Sequence, residues 1–106
     1  MTRPISPGGI IGILGGGQLG RMTALAAAPL GYRCHIFTPE TDSPASQVTD
    51  LVTVAAYDDR TALANFANNV DVITYEFENI PIETAEFLAT RKPLRPSADV
   101  LATSQH

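Results

Sequence analysis

Residues 10–20, Ile-Ile-Gly-Ile-Leu-Gly-Gly-Gly-Gln-Leu-Gly, constrain the fold more than any other part of this sequence. A five-residue apolar run ending in three glycines reads as a buried parallel strand, Ile10–Leu14, that turns directly into a helix. Gly15, Gly17 and Gly20 match the spacing G-x-G-x-x-G at that junction. In such a turn the first glycine takes the tight bend and the second lets a ligand approach the backbone. The third lets the helix sit close to the sheet. All eight glycines of the chain fall at or before Gly31, and the first 38 residues hold Arg3, Arg21 and Arg33 but no acid.

The pattern that follows is an alternation of strands and helices. Helix one is predicted from Gln18 to Ala28, with Leu19, Met22, Leu25 and Ala26 on its apolar side, and stopped by Pro29 and Gly31. Tyr32–Phe37 reads as strand two, followed by a loop bracketed by Pro39 and Pro44, with a helical turn at Ala45–Val48. Leu51–Ala55 is strand three. Asp58 and Asp59 suit the start of a helix carrying Leu63, Phe66, Ala67 and Val70 at helical spacing. Val72–Tyr75 is strand four. Pro81 fits the first turn of a helix with Thr84, Phe87 and Leu88 on one face. A short strand near Leu94–Arg95 and a last helix from Ser97 or Ala98 complete the expectation.

This order predicts an α/β fold: a Rossmann-like parallel sheet, helices on both faces, with strand one beside strands two and four. Residues 1–9 read as a flexible lead-in, 10–96 as the domain, and 97–106 as the start of a helix leading out of it. The ligand crevice of such a sheet lies beyond the carboxyl ends of the strands. The residues there are Gly15–Gly20, Thr38–Asp42, Tyr57, Glu76–Asn79 and Pro96–Ser97.

Size and charge remove several classes of function. A chain of 106 residues makes one compact domain of radius about 13 Å. A formal charge of −4 gives no net positive field for nucleic acid or an anionic membrane. The single cysteine, Cys34, can form no internal disulfide and no thiol zinc site. No signal-peptide core and no apolar run of about 20 residues is present, so a soluble cytoplasmic domain is expected.

Two segments carry the chemistry. The glycine loop presents backbone amides at a helix start, where an anion or carbonyl oxygen is favoured. It is not a Walker A loop, because neither Lys nor Ser/Thr follows the glycines. A dinucleotide site would want an acid at the end of strand two, where Thr38 and Pro39 stand and Glu40 and Asp42 come late. The second segment is Tyr75-Glu76-Phe77-Glu78-Asn79-Ile80-Pro81. Glu76 at a strand end can accept hydrogen bonds from ribose hydroxyls or an amine. Glu78 reads as structural or capping, and Asn79 as a cap for the Pro81 helix. His35 and Cys34 read as structural, His106 is terminal, and Arg21 faces either ligand or solvent. No Ser–His–Asp set or acid–base pair can be assembled, so no catalytic residue is assigned.

Gly12–Met22, Tyr75–Pro81 and Pro96-Ser97, together with Asp42–Asp50 after strand two, closely resemble the N-terminal domain of the N5-carboxyaminoimidazole ribonucleotide synthetases, ATP-grasp enzymes of purine synthesis. The resemblance runs from Ile10 onward. It implies an enzyme that uses ATP and bicarbonate to carboxylate the exocyclic amine of 5-aminoimidazole ribonucleotide. It implies further that ATP and Mg2+ belong to a following ATP-grasp portion of the same polypeptide, absent here, so that this fragment alone binds neither and is inactive. Within this chain the family's ribonucleotide side falls on Gly15, Gly16, Gly17, Gln18, Leu19 and Glu76. The resemblance also implies a homodimer for the full-length protein, while nothing in these 106 residues fixes whether the fragment associates. An exposed, partly apolar patch is expected near the last helix or the crevice rim, where the remaining polypeptide would meet the domain. Two other readings stand beside this one: an NAD- or nucleotide-binding regulatory module, and a non-catalytic domain whose glycines serve packing alone.

Overall fold

A computed structural model describes residues 8–76 and 80–95 of the chain. Four strands form one parallel sheet: β1 (Ile10–Leu14), β2 (Arg33–Thr38), β3 (Leu51–Val54) and β4 (Val72–Tyr75), in the order β3-β2-β1-β4. Three helices accompany them: α1 (Gln18–Ala27), α2 (Arg60–Asn68) and α3 (Ile82–Ala89). The Cα radius of gyration is 12.6 Å. The progression of strands across the sheet reverses at β1, which pairs with β2 on one side and β4 on the other, as the alternation of strands and helices predicts. Leu94 adds a single parallel bridge to Ile73 where a short fifth strand is expected.

The two faces of the sheet follow the period-two alternation of strand side chains. Ile13, Cys34 and Ile36 point to the α1 face and pack with Ala24, Ala27 and Ala45. Leu14, Phe37, Ile73 and Tyr75 point to the other face, against Leu63, Phe66 and Ala67 of α2 and Ala85 and Leu88 of α3. Asp59 caps α2, its Oδ1 accepting from the Ala62 N–H at 3.0 Å. Pro81 is the N-cap of α3, one residue ahead of the helical turn predicted for it. Phe87 is only half-buried. Its ring packs against the edge of the core and carries two guanidinium groups, Arg60 at 4.8 Å and Arg91 at 4.9 Å.

Helix α1 corrects the sequence reading. The expected apolar side is turned to solvent: Leu19 is 66% exposed, Met22 62% and Leu25 52%, and Ala26 is exposed too. The buried side is Gly20, Ala24 and Ala27. Small residues win because α1 starts hard against the turn that precedes it. A Cβ on Gly20 would lie 2.9 Å from the Gly15 carbonyl oxygen, which leaves no room for a larger side chain. The exposed strip begins at the crevice rim, one of the two places where an apolar patch is expected. The other, the last helix, lies outside the described residues, as do the lead-in up to Pro7, Glu78, Asn79 and Pro96-Ser97. Among the described residues no helix is long and apolar enough to cross a membrane.

His35 is structural, as the sequence suggests. Its Nε2 shares a 2.7 Å hydrogen bond with Thr53 Oγ1, and its ring meets Phe66 edge-on at 5.2 Å. Burial holds its imidazole below the ordinary value, so the unfolded chain takes up a proton first as the pH falls. The contribution to stability is complete above about pH 6.5 and declines as the solution is acidified through the folded value. Thermal midpoints measured from pH 7.5 down to 5 should therefore fall more steeply for the native chain than for His35→Gln. Parallel slopes would contradict this.

Candidate functional site

Strand register builds the site. Leu14 is level with Phe37 of β2 and with Tyr75 of β4, so the three strands run out together. The next residues, Gly15, Thr38 and Glu76, emerge side by side at the carboxyl edge, with Gly15 in the middle. The Gly15 N–H donates to the Phe37 carbonyl at 2.9 Å, and the Glu76 N–H to the Leu14 carbonyl at 3.1 Å. Gly15 then bends with φ +110°, a conformation that residues with a Cβ rarely adopt.

The carboxylate of Glu76 sits in this bend. Its Oε1 accepts from the Gly17 N–H at 3.1 Å and from the Gly20 N–H at 3.0 Å. Gly17 is the N-cap of α1 and has no side chain to satisfy the first-turn donors. Glu76 does so from another strand. One oxygen serves the N-cap and third-position amides, which in a capping box are served by two side chains of the same helix. The negative charge also suits the positive end of the α1 dipole. Oε2 lies along the loop, within 3.0 Å of where a Gly15 Cβ and 3.1 Å of where a Gly17 Cβ would stand. Among the described residues Oε2 carries no hydrogen bond.

This arrangement revises the sequence expectation. Loop amides and Glu76 were expected to offer a ligand donors and an acceptor independently. Instead Glu76 Oε1 occupies two of those donors, and the acceptor left over is Oε2, beside Gly15 and Gly17.

The other expected residues fall as follows. Gly15 and Gly16 are buried, Gly17 is half-buried, and Gln18 and Leu19 project outward from the first turn of α1 at the crevice rim. The Arg21 guanidinium is tied to Gln47 Oε1 at 3.0 Å. Glu40 is exposed, its N–H donating to Thr38 Oγ1 at 3.3 Å, and Asp42 is exposed with φ +54°.

The β2 side of the crevice carries groups to which the sequence assigns no role. Ser43 is buried against Gly16, and a Cβ there would overlap its hydroxyl; the hydroxyl has no hydrogen-bond partner among the described residues. Ala45 N–H donates to the Gly16 carbonyl at 2.8 Å, so the loop after β2 clasps the glycine turn. Tyr57, beyond β3, stacks on Phe37 with centroids 6.1 Å apart and an interplanar angle of 27°. Its phenol is pushed up to about 12 by burial and then by the charges of Glu76 and Glu40, against a side-chain hydrogen bond with Thr38 that lowers it. The only sequence signal for Tyr57 is its place after a strand end. A separate cavity of about 250 Å³ opens between α2 and α3, lined by Tyr57, Arg60, Leu63, Pro81, Thr84 and Phe87.

The ribonucleotide synthetase preATP-grasp domain family matches residues 9–105. The chain belongs to that family. It is 52% identical over 101 residues to the N5-carboxyaminoimidazole ribonucleotide synthase of Brucella melitensis, covering 95% of this chain and 28% of that protein. The ADP complex of a purK N5-carboxyaminoimidazole ribonucleotide synthetase superposes with a TM-score of 0.91 at 47% identity, over 96% of this chain and 27% of that one. The N5-carboxyaminoimidazole synthase of Aspergillus clavatus, solved with ADP and 5-aminoimidazole ribonucleotide, gives a TM-score of 0.81 at 31% identity, over 93% and 27% respectively. The chain thus spans about a quarter of the length of these synthases. The α/β parallel sheet is the preATP-grasp architecture, and the resemblance carried by the glycine loop and the Tyr75–Pro81 segment is a true relationship.

Proposed function

We propose that this chain is the ribonucleotide-binding N-terminal domain of an ATP-dependent synthetase that carboxylates the exocyclic amine of 5-aminoimidazole ribonucleotide. The observation that carries the reading is the Glu76 carboxylate at the mouth of the glycine turn, anchored through Oε1, with Oε2 beside Gly15 and Gly17 and without a hydrogen-bond partner among the described residues. An acceptor fixed in this way suits a ligand rich in O–H and N–H donors. The Aspergillus clavatus relative, solved with 5-aminoimidazole ribonucleotide, shares the domain. Gly15, Gly16 and Gly17 supply the floor, and Gln18 and Leu19 the rim.

ATP and Mg2+ do not fit here. No Lys, Ser or Thr follows the glycines, and no group of three acids, His or Cys that could hold a metal stands among the described residues. They belong, in this reading, to the ATP-grasp portion of the complete polypeptide, and the isolated domain performs no carboxylation. Any homodimer belongs, in this reading, to that larger chain. The dinucleotide alternative is disfavoured on electrostatic grounds. A pyrophosphate at the α1 N-terminus would meet the Glu76 carboxylate on the amides it needs.

Equilibrium titrations of the complete polypeptide test this. Glu76→Gln should weaken binding of 5-aminoimidazole ribonucleotide by tenfold or more and leave ADP binding unchanged. An ADP defect with intact ribonucleotide binding would reject the assignment.

A further inference from the structure

Helix α1 does little to hold its own first turn. Its N-cap, Gly17, has no side chain to cap with, and the turn carries no acid. Glycine stands again at the third helical position, Gly20, and is the poorest helix former after proline. Gln18 and Leu19, between them, are exposed. What fastens the turn comes from outside the helix. The Ala45 N–H holds the Gly16 carbonyl at 2.8 Å just ahead of it. Glu76 Oε1 accepts from the Gly17 N–H at 3.1 Å and from the Gly20 N–H at 3.0 Å. The other oxygen of the same carboxylate, Oε2, lies beside Gly15 and Gly17 without a hydrogen-bond partner among the described residues. One side chain therefore has two duties, one on each oxygen.

We propose that Glu76 is a linkage device: a ligand that donates to Oε2 locks the first turn of α1 through Oε1, and with it the rim residues Gln18 and Leu19. The inference rests on the ribonucleotide reading given above and adds to it a regulation of the rim by the ligand. While the α1 amides are bound, the carboxylate is held in one orientation, and the ligand meets an acceptor that is already ordered. When the turn opens, the same ligand has to order a long, freely rotating side chain by itself, and it binds less well. A ligand that prefers the closed turn shifts the turn toward closure by the same factor. The two sets of bonds use different oxygens, so neither displaces the other.

Gly20 supplies the readout. Its amide is bonded to Oε1 and the residue is buried, so its exchange with solvent reports the opening of the turn. Amide exchange is measured in the complete polypeptide labelled with ¹⁵N-glycine, with and without saturating 5-aminoimidazole ribonucleotide. The Gly20 amide should exchange about fivefold or more slowly with the ligand bound. The Gly31 amide, bonded to the Ala28 carbonyl at 3.0 Å just past the far end of α1, should not change. Glu76→Gln keeps an oxygen for the two amides and loses the second acceptor. Saturated at a higher ligand concentration, it should show no slowing at Gly20. A Gly20 rate indifferent to the ribonucleotide in the native protein, equal slowing at Gly20 and Gly31, or a response that survives in Glu76→Gln would each overturn the proposal. Should that variant misfold, the comparison of Gly20 with Gly31 in the native protein decides alone. The same titrations separate the two readings. Weakened ribonucleotide binding in Glu76→Gln with an indifferent native Gly20 discards the device alone, whereas native-like binding in Glu76→Gln discards the site and the device with it.

Discussion

Replacing Glu76 with alanine should damage folding and substrate use together, and replacing it with glutamine should damage substrate use alone. In the alanine variant the Gly17 and Gly20 amides lose the oxygen that binds them at 3.1 and 3.0 Å. Gly20 is buried, so its N–H has no ready access to water. Losing a charge-assisted partner and the cap of a ten-residue helix should together cost about 2–4 kcal/mol. For a domain of 106 residues that is a fall in thermal midpoint of roughly 10 °C or more. The total stability of such a domain is only about 5–15 kcal/mol, so the variant should also be visibly easier to unfold by urea.

Glutamine keeps a carbonyl oxygen for the two amides and should restore most of that stability. Its amide nitrogen then stands where Oε2 was, and a nitrogen that donates cannot accept from a ribose hydroxyl or an amine. In the complete polypeptide the ribonucleotide KM should therefore rise by about one to two orders of magnitude, the range expected when a hydrogen bond to a charged group is lost. The KM for ATP should stay where it was. A glutamine variant as unstable as the alanine one would mean that the charge, not the oxygen, holds the α1 N-terminus. A stable glutamine variant with normal ribonucleotide kinetics would leave Glu76 as a cap and nothing more.

How much of this was legible in the sequence depends on how far each contact reaches. β4 is found at Val72–Tyr75 as predicted, because Asp71 and Glu76 bracket an apolar run. The turn at Ala45–Val48 and the Asp59 start of α2 are likewise local, and both are found. β2 begins one residue later than expected because the Tyr32 N–H is drawn back to the Ala27 carbonyl at the end of α1. It ends one later, at Thr38, because β3 continues alongside it and Thr38 pairs with Val54.

The misreading of α1 has a different origin. Ranking by hydrophobicity puts Leu19, Met22 and Leu25 inward, whereas the space beside the glycine turn admits only Gly20, Ala24 and Ala27. Close approach is a property of the packed layers, and a single helix does not announce it. The Glu76 cap is equally hidden. It spans 56 residues to Gly20 and exists only because Leu14 is level with Tyr75. Sequence shows an acid at a strand end and unsatisfied amides at a helix start, but not that each answers the other.

Two glycines three residues apart should separate packing from function. Gly12 lies in β1, and a Cβ there would meet Phe66 at 2.7 Å and Val70 at 3.1 Å, in the core on the α2 face. Phe66 is a fully buried ring with nowhere to turn, so Gly12→Ala should destabilise by about 1–3 kcal/mol through overpacking. The crevice lies beyond the strand end, and the ribonucleotide KM of the folded Gly12→Ala protein should be unchanged. Gly15→Ala meets a different obstacle. At φ +110° a Cβ is strained, at a cost of about 1–3 kcal/mol. That Cβ would also stand 2.9 Å from the Glu76 carboxyl carbon and push it off the α1 amides. Gly15→Ala should therefore reproduce both defects of Glu76→Ala, lowered stability and a raised ribonucleotide KM, with ATP kinetics intact. Combining Gly15→Ala with Glu76→Ala should be less than additive, since the carboxylate that the new methyl displaces is already gone. Full additivity would show that Gly15 acts through backbone strain alone, and a ribonucleotide defect in Gly12→Ala would show that the crevice responds to the core rather than to the carboxylate at its mouth.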